Sequence, residues 1–404
     1  MLDPRLIDYF FAAASIQRWN DYPRMIELVE LDKQAHKFII AYFIAKLEKD
    51  VDYIALIEGG IFEFLRRVVV TDIRPDVFHK ALMQKKDEIN SWVIKNLKES
   101  IKDIDNGDFL KRFESYLIDE SRYKKERFIL KAASYLSTKW EFSIIYQTSS
   151  FLSDIDKTKV AVEEEIEDYY ELIGVRKIAL GKKLAHLVDI SGRLRFQKRW
   201  AQTPRIPNTS VLGHMLIVAF LGYFYSLNIN ACNKQIENNF FCALFHDLPE
   251  ALTRDIISPV KYSVSGLDDI ISEYEIRKIE DEILPLVPLS FKDEFRYILG
   301  LFNGKKDEFS DKIKEGKEIK EVENILQYNE DRYSPIDGKA LKACDRIAAF
   351  IEATLSISYG VKSKELVQGK ATIEEKLQQS GKIGSVDFYK LAKDIEKYFS
   401  HESL

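Results

Sequence analysis

His246 and Asp247 stand side by side at the end of an apolar run, FFCALF (240–245), and Glu250 follows three residues later. The chain has six histidines in all, so an imidazole next to a carboxylate at the edge of a buried run calls for a chemical reason. Burying either group without a partner is costly. A divalent transition ion would offset that cost, because a neutral imidazole and a carboxylate are both good ligands for it. Two ligands do not complete a site. His214, on the preceding apolar stretch SVLGHMLIVAFLGYFYSL (210–227), is a third candidate, and Asp345, a charge interrupting the buried face of LKACDRIAAFIEA (341–353), is a fourth. Alone, His214 reads as a core histidine and Asp345 as a charge on a helix surface; together and in this order the four make a metal set. Glu250 lies four residues after His246, so one more helical turn would put it on the metal side, where a carboxylate can orient a water or take its proton. Pro249 works against that turn.

The elements that must position these groups read as helices. QAHKFIIAYFIAKLEK (34–49), SVLGHMLIVAFLGYFYSL (210–227) and ALKACDRIAAFIEATLSI (340–357) repeat apolar residues at three- and four-residue spacing. With 17 glycines and 10 prolines and no series of alternating strands separated by turn signals, the expected fold is all-α. A length of 404 residues is comfortable for two domains. Two segments stand apart in composition. DKTKVAVEEEIEDYYELIG (156–174) carries an acidic run and reads as a solvated helix between halves; the charged segment 304–333 reads as a solvated face or loop, with a lid beside a site as the alternative.

Hydrophobic residues make up 46% of the chain and charged residues 31%, with a formal net charge of −5. That balance suits a globular protein and gives no general electrostatic reason to bind nucleic acid or an anionic membrane. Three cysteines, Cys232, Cys242 and Cys344, argue against a disulfide framework and fit a reducing compartment. The first residues lack the basic and long apolar regions of a signal peptide, and no run reaches the roughly 18 apolar residues of a membrane helix. A cytoplasmic location is expected.

The halves repeat. QRWNDYPRM (17–25) matches KRWAQTPRI (198–206), and a helix with one histidine follows each, His36 in the first and His214 in the second. EFLRRVVVTDI (63–73) aligns with HDLPEALTRDI (246–256), and LKAASYL (130–136) with LKACDRI (341–347). The expected organisation is a degenerate copy over 1–155, a helical linker over 156–185, and a catalytic domain over 186–404 with a charged insertion near 304–333.

The order H…HD…D, with HDLPEALTRD around the central pair, resembles the HD-domain metal-dependent phosphohydrolases. Residues 193–357 are similar to the bacterial 5'-deoxynucleotidases of that superfamily: Arg199-Trp200 upstream, HD-x-x-E, an aspartate five residues past the glutamate, then SPVKY, then a helix with KACDRI. The resemblance implies an all-helical fold with one divalent metal (Mn, Co, Fe, Ni or Zn) on His214, His246, Asp247 and Asp345. It also implies hydrolysis of a phosphate monoester. Glu250 and Asp255 take the catalytic positions, and Arg199, Trp200 and Lys261 the substrate side, with Arg199 meeting the phosphate. Gly213 and Met215 depart from the family, in which many relatives carry a glutamate and a serine there, and this leaves the substrate open. By the repeat, Glu63, Phe64, Arg67 and Ser134 fall where His246, Asp247, Glu250 and Asp345 stand, so the first copy is expected to hold no metal.

The function expected is removal of phosphate from a nucleoside 5'-monophosphate. The alternatives are hydrolysis of a nucleoside triphosphate or another phosphorylated metabolite, and a non-catalytic nucleotide-binding regulator. The partner is a small phosphorylated substrate, and the chain is expected to work as a monomer with an internal pseudo-dimer or as a weak homodimer.

Overall fold

A computed structural model describes residues 2–71, 73, 75–254 and 266–401. The chain divides into two compact units, Leu2–Arg176 and Lys177–Leu404. The division falls within the segment expected to be the linker.

The first unit holds α1 (Pro4–Ala12), α2 (Glu30–Ala45), α3 (Tyr53–Val70), α4 (Pro75–Ile101), α5 (Asp108–Ile118), α6 (Lys124–Ser149) and α7 (Ile155–Glu167), and α8 (Ile173–Ala179) contains the division. The second unit holds α9 (Lys183–Arg193), α10 (Val211–Asn228), α11 (Asn233–Phe245), α12 (Glu250–Thr253), α13 (Leu267–Lys278), α14 (Lys292–Ile298), α15 (Gly338–Ser358), α16 (Lys364–Ser380) and α17 (Phe388–His401). The fold is all-α, as the periodicity implied.

Each unit is built around one helix buried along most of its length, α2 in the first and α10 in the second. α10 is long and apolar enough by composition to cross a bilayer, but 89% of it is buried within the protein. Burying one such Leu, Ile or Phe side chain is worth about 1.5–3 kcal/mol, so the apolar run is explained by the core. Ser210 accepts the Gly213 N–H at 2.9 Å and fixes where α10 starts, which puts His214 in its first turn. Asp337 does the same for α15 through Ala340 N–H (3.0 Å). Asn239 of α11 ties these helices together, donating to Ser226 Oγ and accepting from Asp337 N–H, both at 2.9 Å.

The charged segment is more ordered than its composition implied. β1 (Leu301–Phe302) pairs with β2 (Lys305–Lys306), and β3 (Lys312–Glu315) with β4 (Glu318–Glu321), all antiparallel. KIKE is too short for its alternation to stand out among so many charges, and the strand buries Lys312 as well as Ile313. Gly338 explains how this segment reaches the site. A Cβ there would lie 2.2 Å from the Ser310 carbonyl oxygen, so only glycine lets the 309–310 backbone lie against the start of α15.

Candidate metal centre

α11 ends at Phe245, His246 takes helical φ/ψ as its cap, and helix resumes at Glu250 as α12. Leu248 N–H reaches back to Phe245 O and Glu250 N–H to Asp247 O, both at 3.0 Å. The helix therefore breaks over 246–249, where Pro249 has no N–H to offer Phe245 O, and tight turns carry the chain into α12. Arg254 closes the turn at φ 67. Asp255 and Lys261 lie outside the described residues.

His214, His246 and Asp247 come together, each offering a ligand atom within 4.8 Å of the others. Asp345 joins them through His214, with Oδ1 3.0 Å from Nε2. Both imidazoles have their other nitrogen engaged. His214 Nδ1 donates to Glu352 Oε1 at 3.3 Å, and His246 Nδ1 to Ala243 O at 2.7 Å. A carbonyl or carboxylate oxygen can only accept, so a ring that is neutral with its proton on Nδ1 presents a lone pair on Nε2; without a cation the Asp345 carboxylate would equally hold a proton on His214 Nε2. The Nε2 atoms face carboxylates: Asp345 Oδ1 for His214, and Asp247 Oδ2 for His246, each at 3.0 Å. His246 Nε2 is buried and makes no hydrogen bond of good geometry. Two lone pairs facing two carboxylates in a buried pocket repel unless a cation lies among them. The donor set, two imidazoles and two carboxylates, suits a divalent transition ion. The residues present therefore fit the metal that the sequence implied.

The electrostatics point the same way. Burial would push Asp345 up, but Lys342, with Nζ 3.0 Å from Oδ2, and then His214 hold its carboxyl far below the usual range. Burial likewise acts against the charge on Asp247, and His246 and Arg199 reverse it. The His214 ring opposes protonation through its burial and through Arg199, yet Glu352 and Asp345 raise it above the ordinary histidine value. Arg199 stands between the two aspartates, 3.7 Å from Asp247 Oδ2 and 4.0 Å from Asp345 Oδ1, with 17% of its side chain exposed. Glu250 is buried at the first position of α12. Trp200 donates its indole N–H to Glu352 Oε2 at 3.0 Å, which makes it a support for the carboxylate behind His214.

Three features escaped the sequence reading. Glu352 is fully buried and receives hydrogen bonds from Trp200, from Thr209 (2.7 Å) and from His214. It lies seven residues after Asp345, two helical turns along the same stripe of α15, and that spacing was the signal available. Lys342 lies one turn before Asp345. Phe309, from the charged segment, places its ring 5.7 Å from that of His246 and 4.2 Å from Lys342 Nζ. Since Glu352 sets the His214 tautomer, Glu352→Gln is expected to weaken divalent-metal affinity about 10–100-fold. A competition titration against a chelating dye reads this, and unchanged affinity would remove Glu352 from the metal's support.

Residues 191–374 match the family model described as an HD domain. The chain is also similar to a 5'-deoxynucleotidase from Yersinia pestis (strain Pestoides F), 22% identical over 201 residues that cover 48% of this chain and 84% of the relative. A 5'-deoxynucleotidase from Yersinia pseudotuberculosis serotype O:1b (strain IP 31758) matches at the same identity and coverage.

Proposed function

We propose that the unit whose residues 191–374 match the HD-domain family model is a metal-dependent phosphohydrolase that removes phosphate from a nucleoside 5'-monophosphate. The observation that carries the reading is the pair of imidazole Nε2 atoms, each 3.0 Å from a carboxylate oxygen of Asp345 or Asp247, with the Arg199 guanidinium beside both carboxylates. The names of the Yersinia relatives favour a nucleotide substrate.

In this reading His214, His246, Asp247 and Asp345 hold one divalent ion. When bound, that ion supplies a Lewis acid for a phosphoryl oxygen and lowers the pKa of water at the site. Arg199 turns its planar fork from the two aspartates to two phosphoryl oxygens. Glu250 takes the proton of the attacking water as the new P–O bond forms. The bond from phosphorus to the sugar oxygen breaks, and the proton passes to that oxygen, so free phosphate and a nucleoside leave. Asp255 is assigned to the sugar side of the substrate and Lys261 to the phosphate side, on the resemblance alone.

A phosphate-release screen of the full chain over nucleoside mono-, di- and triphosphates and small phosphorylated metabolites, with Mn2+, Co2+ or Zn2+, tests the substrate class. Release from 5'-monophosphates at least about tenfold above the triphosphates is the expected result. A clear preference for triphosphates or non-nucleotide esters would replace the nucleotidase reading with another hydrolase of the same site.

A further inference from the structure

The first unit repeats the backbone devices that surround the metal cluster in the second. Gln17 bridges Val29 as Lys198 bridges Ser210. Arg18 N–H donates to Leu28 O (2.7 Å) as Arg199 N–H donates to Thr209 O (3.0 Å), and Glu30 N–H to Ile16 O (2.9 Å) as Val211 N–H to Gln197 O (2.8 Å). Trp19 and Trp200 both hold a left-handed φ, 58° and 56°, which a bulky residue adopts only under constraint. Each indole donates to a fully buried glutamate: Trp19 to Glu141 at 3.1 Å, Trp200 to Glu352 at 3.0 Å. Thr71 ends its helix at φ 61 with its N–H on Arg67 O (2.9 Å), as Arg254 does at φ 67 on Glu250 O (2.8 Å).

These landmarks fix which residues correspond. The offset that brings Trp19 to Trp200 brings Lys33, not His36, to His214. The offset from Glu141 to Glu352 brings Ser134 to Asp345, and that from Thr71 to Arg254 brings Glu63, Phe64 and Arg67 to His246, Asp247 and Glu250. The side chains meet accordingly. Lys33 Nζ donates to Ser134 Oγ at 2.5 Å, where His214 faces Asp345. Glu30 Oε2 receives Arg18 at 3.0 Å and Arg67 at 3.3 Å. Lys37 Nζ lies 2.9 Å from Glu63 Oε2. His36 is a buried core histidine, its ring edge-on to Trp140 at 5.3 Å.

We propose that the first unit is a second HD-type unit whose metal has been replaced by its own cations, Lys33 and Arg67, held in a closed network with Glu30, Arg18 and Glu141. The proposal rests on the metal-site reading of the second unit. Charge supports it. Lys33 adds one positive charge and Glu63 one negative; Phe64 and Ser134 each delete a negative charge; Arg67 reverses one. The gain is four units; on α2, Glu30 and Asp32, standing where Val211 and Gly213 do, return two, and Lys37, standing where Val218 does, adds one. A divalent ion would have brought two. Burial pulls Lys33 down to about 7 against the attraction of Glu30, and even with Lys33 neutral the gain matches the charge of the ion. A metal entering this pocket would meet an ammonium and a guanidinium, would find no imidazole where His214 and His246 stand, and would find the carboxylates already paired, Glu30 with Arg18 and Arg67, Glu141 with Arg18 and Glu63 with Lys37, so it is excluded by repulsion and by competition for its donors.

Crystals of the full chain soaked in Mn2+ and measured at the manganese edge test this, together with a Mn2+ titration of the wild-type protein and of Lys33→Ala. The expected result is an anomalous peak among His214, His246 and Asp247, none among Lys33, Glu63 and Ser134, and one ion per chain in both proteins. A peak in the Lys33 pocket, or a second ion per chain that Lys33→Ala alters, would overturn the proposal. An empty second unit together with an empty first would instead refute the metal reading of the second unit and leave the exclusion of metal from the first standing.

Discussion

His246→Ala and Asp345→Ala are each expected to leave the protein without its divalent ion and without phosphohydrolase activity above background, while the helical content stays that of the wild type. In the proposed site four groups would hold the ion, His214 on α10, His246 and Asp247 at the end of α11 and Asp345 on α15, and these two variants remove one imidazole and one carboxylate. His246 Nε2 has no well-formed hydrogen bond to lose, so its removal costs the fold the Nδ1 bond to Ala243 O and leaves a cavity, without unpairing an ion pair of good geometry. Asp345 pairs with Lys342 and faces His214; on its loss Lys342 keeps a side chain 41% exposed to water, and the buried His214 keeps its contact with Glu352. The core that keeps the helices in place is apolar and lies along α10 and α11. Elemental analysis of the two purified variants, read beside their circular dichroism, checks the expectation. Wild-type metal content in both would show that these groups are not ligands.

Glu250→Gln is expected to separate metal binding from turnover. The amide keeps the shape of the carboxylate at the start of α12 but cannot accept a proton. Metal content should therefore stay at the wild-type ratio while kcat falls about 10^2–10^4-fold, the range over which a positioned general base acts. KM should change much less, because Arg199 and the ion, not Glu250, are assigned to the phosphate. Steady-state rates on a metal-loaded variant decide it, and a wild-type kcat would take Glu250 out of the proton path.

Much of this was legible in the sequence because the signals were long or chemically unusual. The periodicity of 210–227 marks α10, and a histidine and an aspartate at the end of FFCALF mark the cluster. What stayed hidden depends on distances between elements. Glu352 looks like any charge in an amphipathic helix until Trp200, Thr209 and His214 are seen to converge on it. The ribbon at 312–321 is short and charged, so its pairing rests on a tight turn at Gly316 (φ 61) and one buried isoleucine. The register proposed for the first unit differs from the one the sequence suggests for a simpler reason. Matching histidine to histidine favours His36, three residues away from the position that the Trp19 and Trp200 hydrogen bonds assign to Lys33.

The most direct measurement is phosphate release from a 2'-deoxynucleoside 5'-monophosphate by chelator-stripped protein before and after Mn2+ is restored, with His246→Ala in parallel. The account predicts no release from the stripped wild type, recovery on adding Mn2+, and no recovery in the variant. Release by the stripped wild type at the rate of the metal-loaded enzyme, or recovery in His246→Ala, would contradict it.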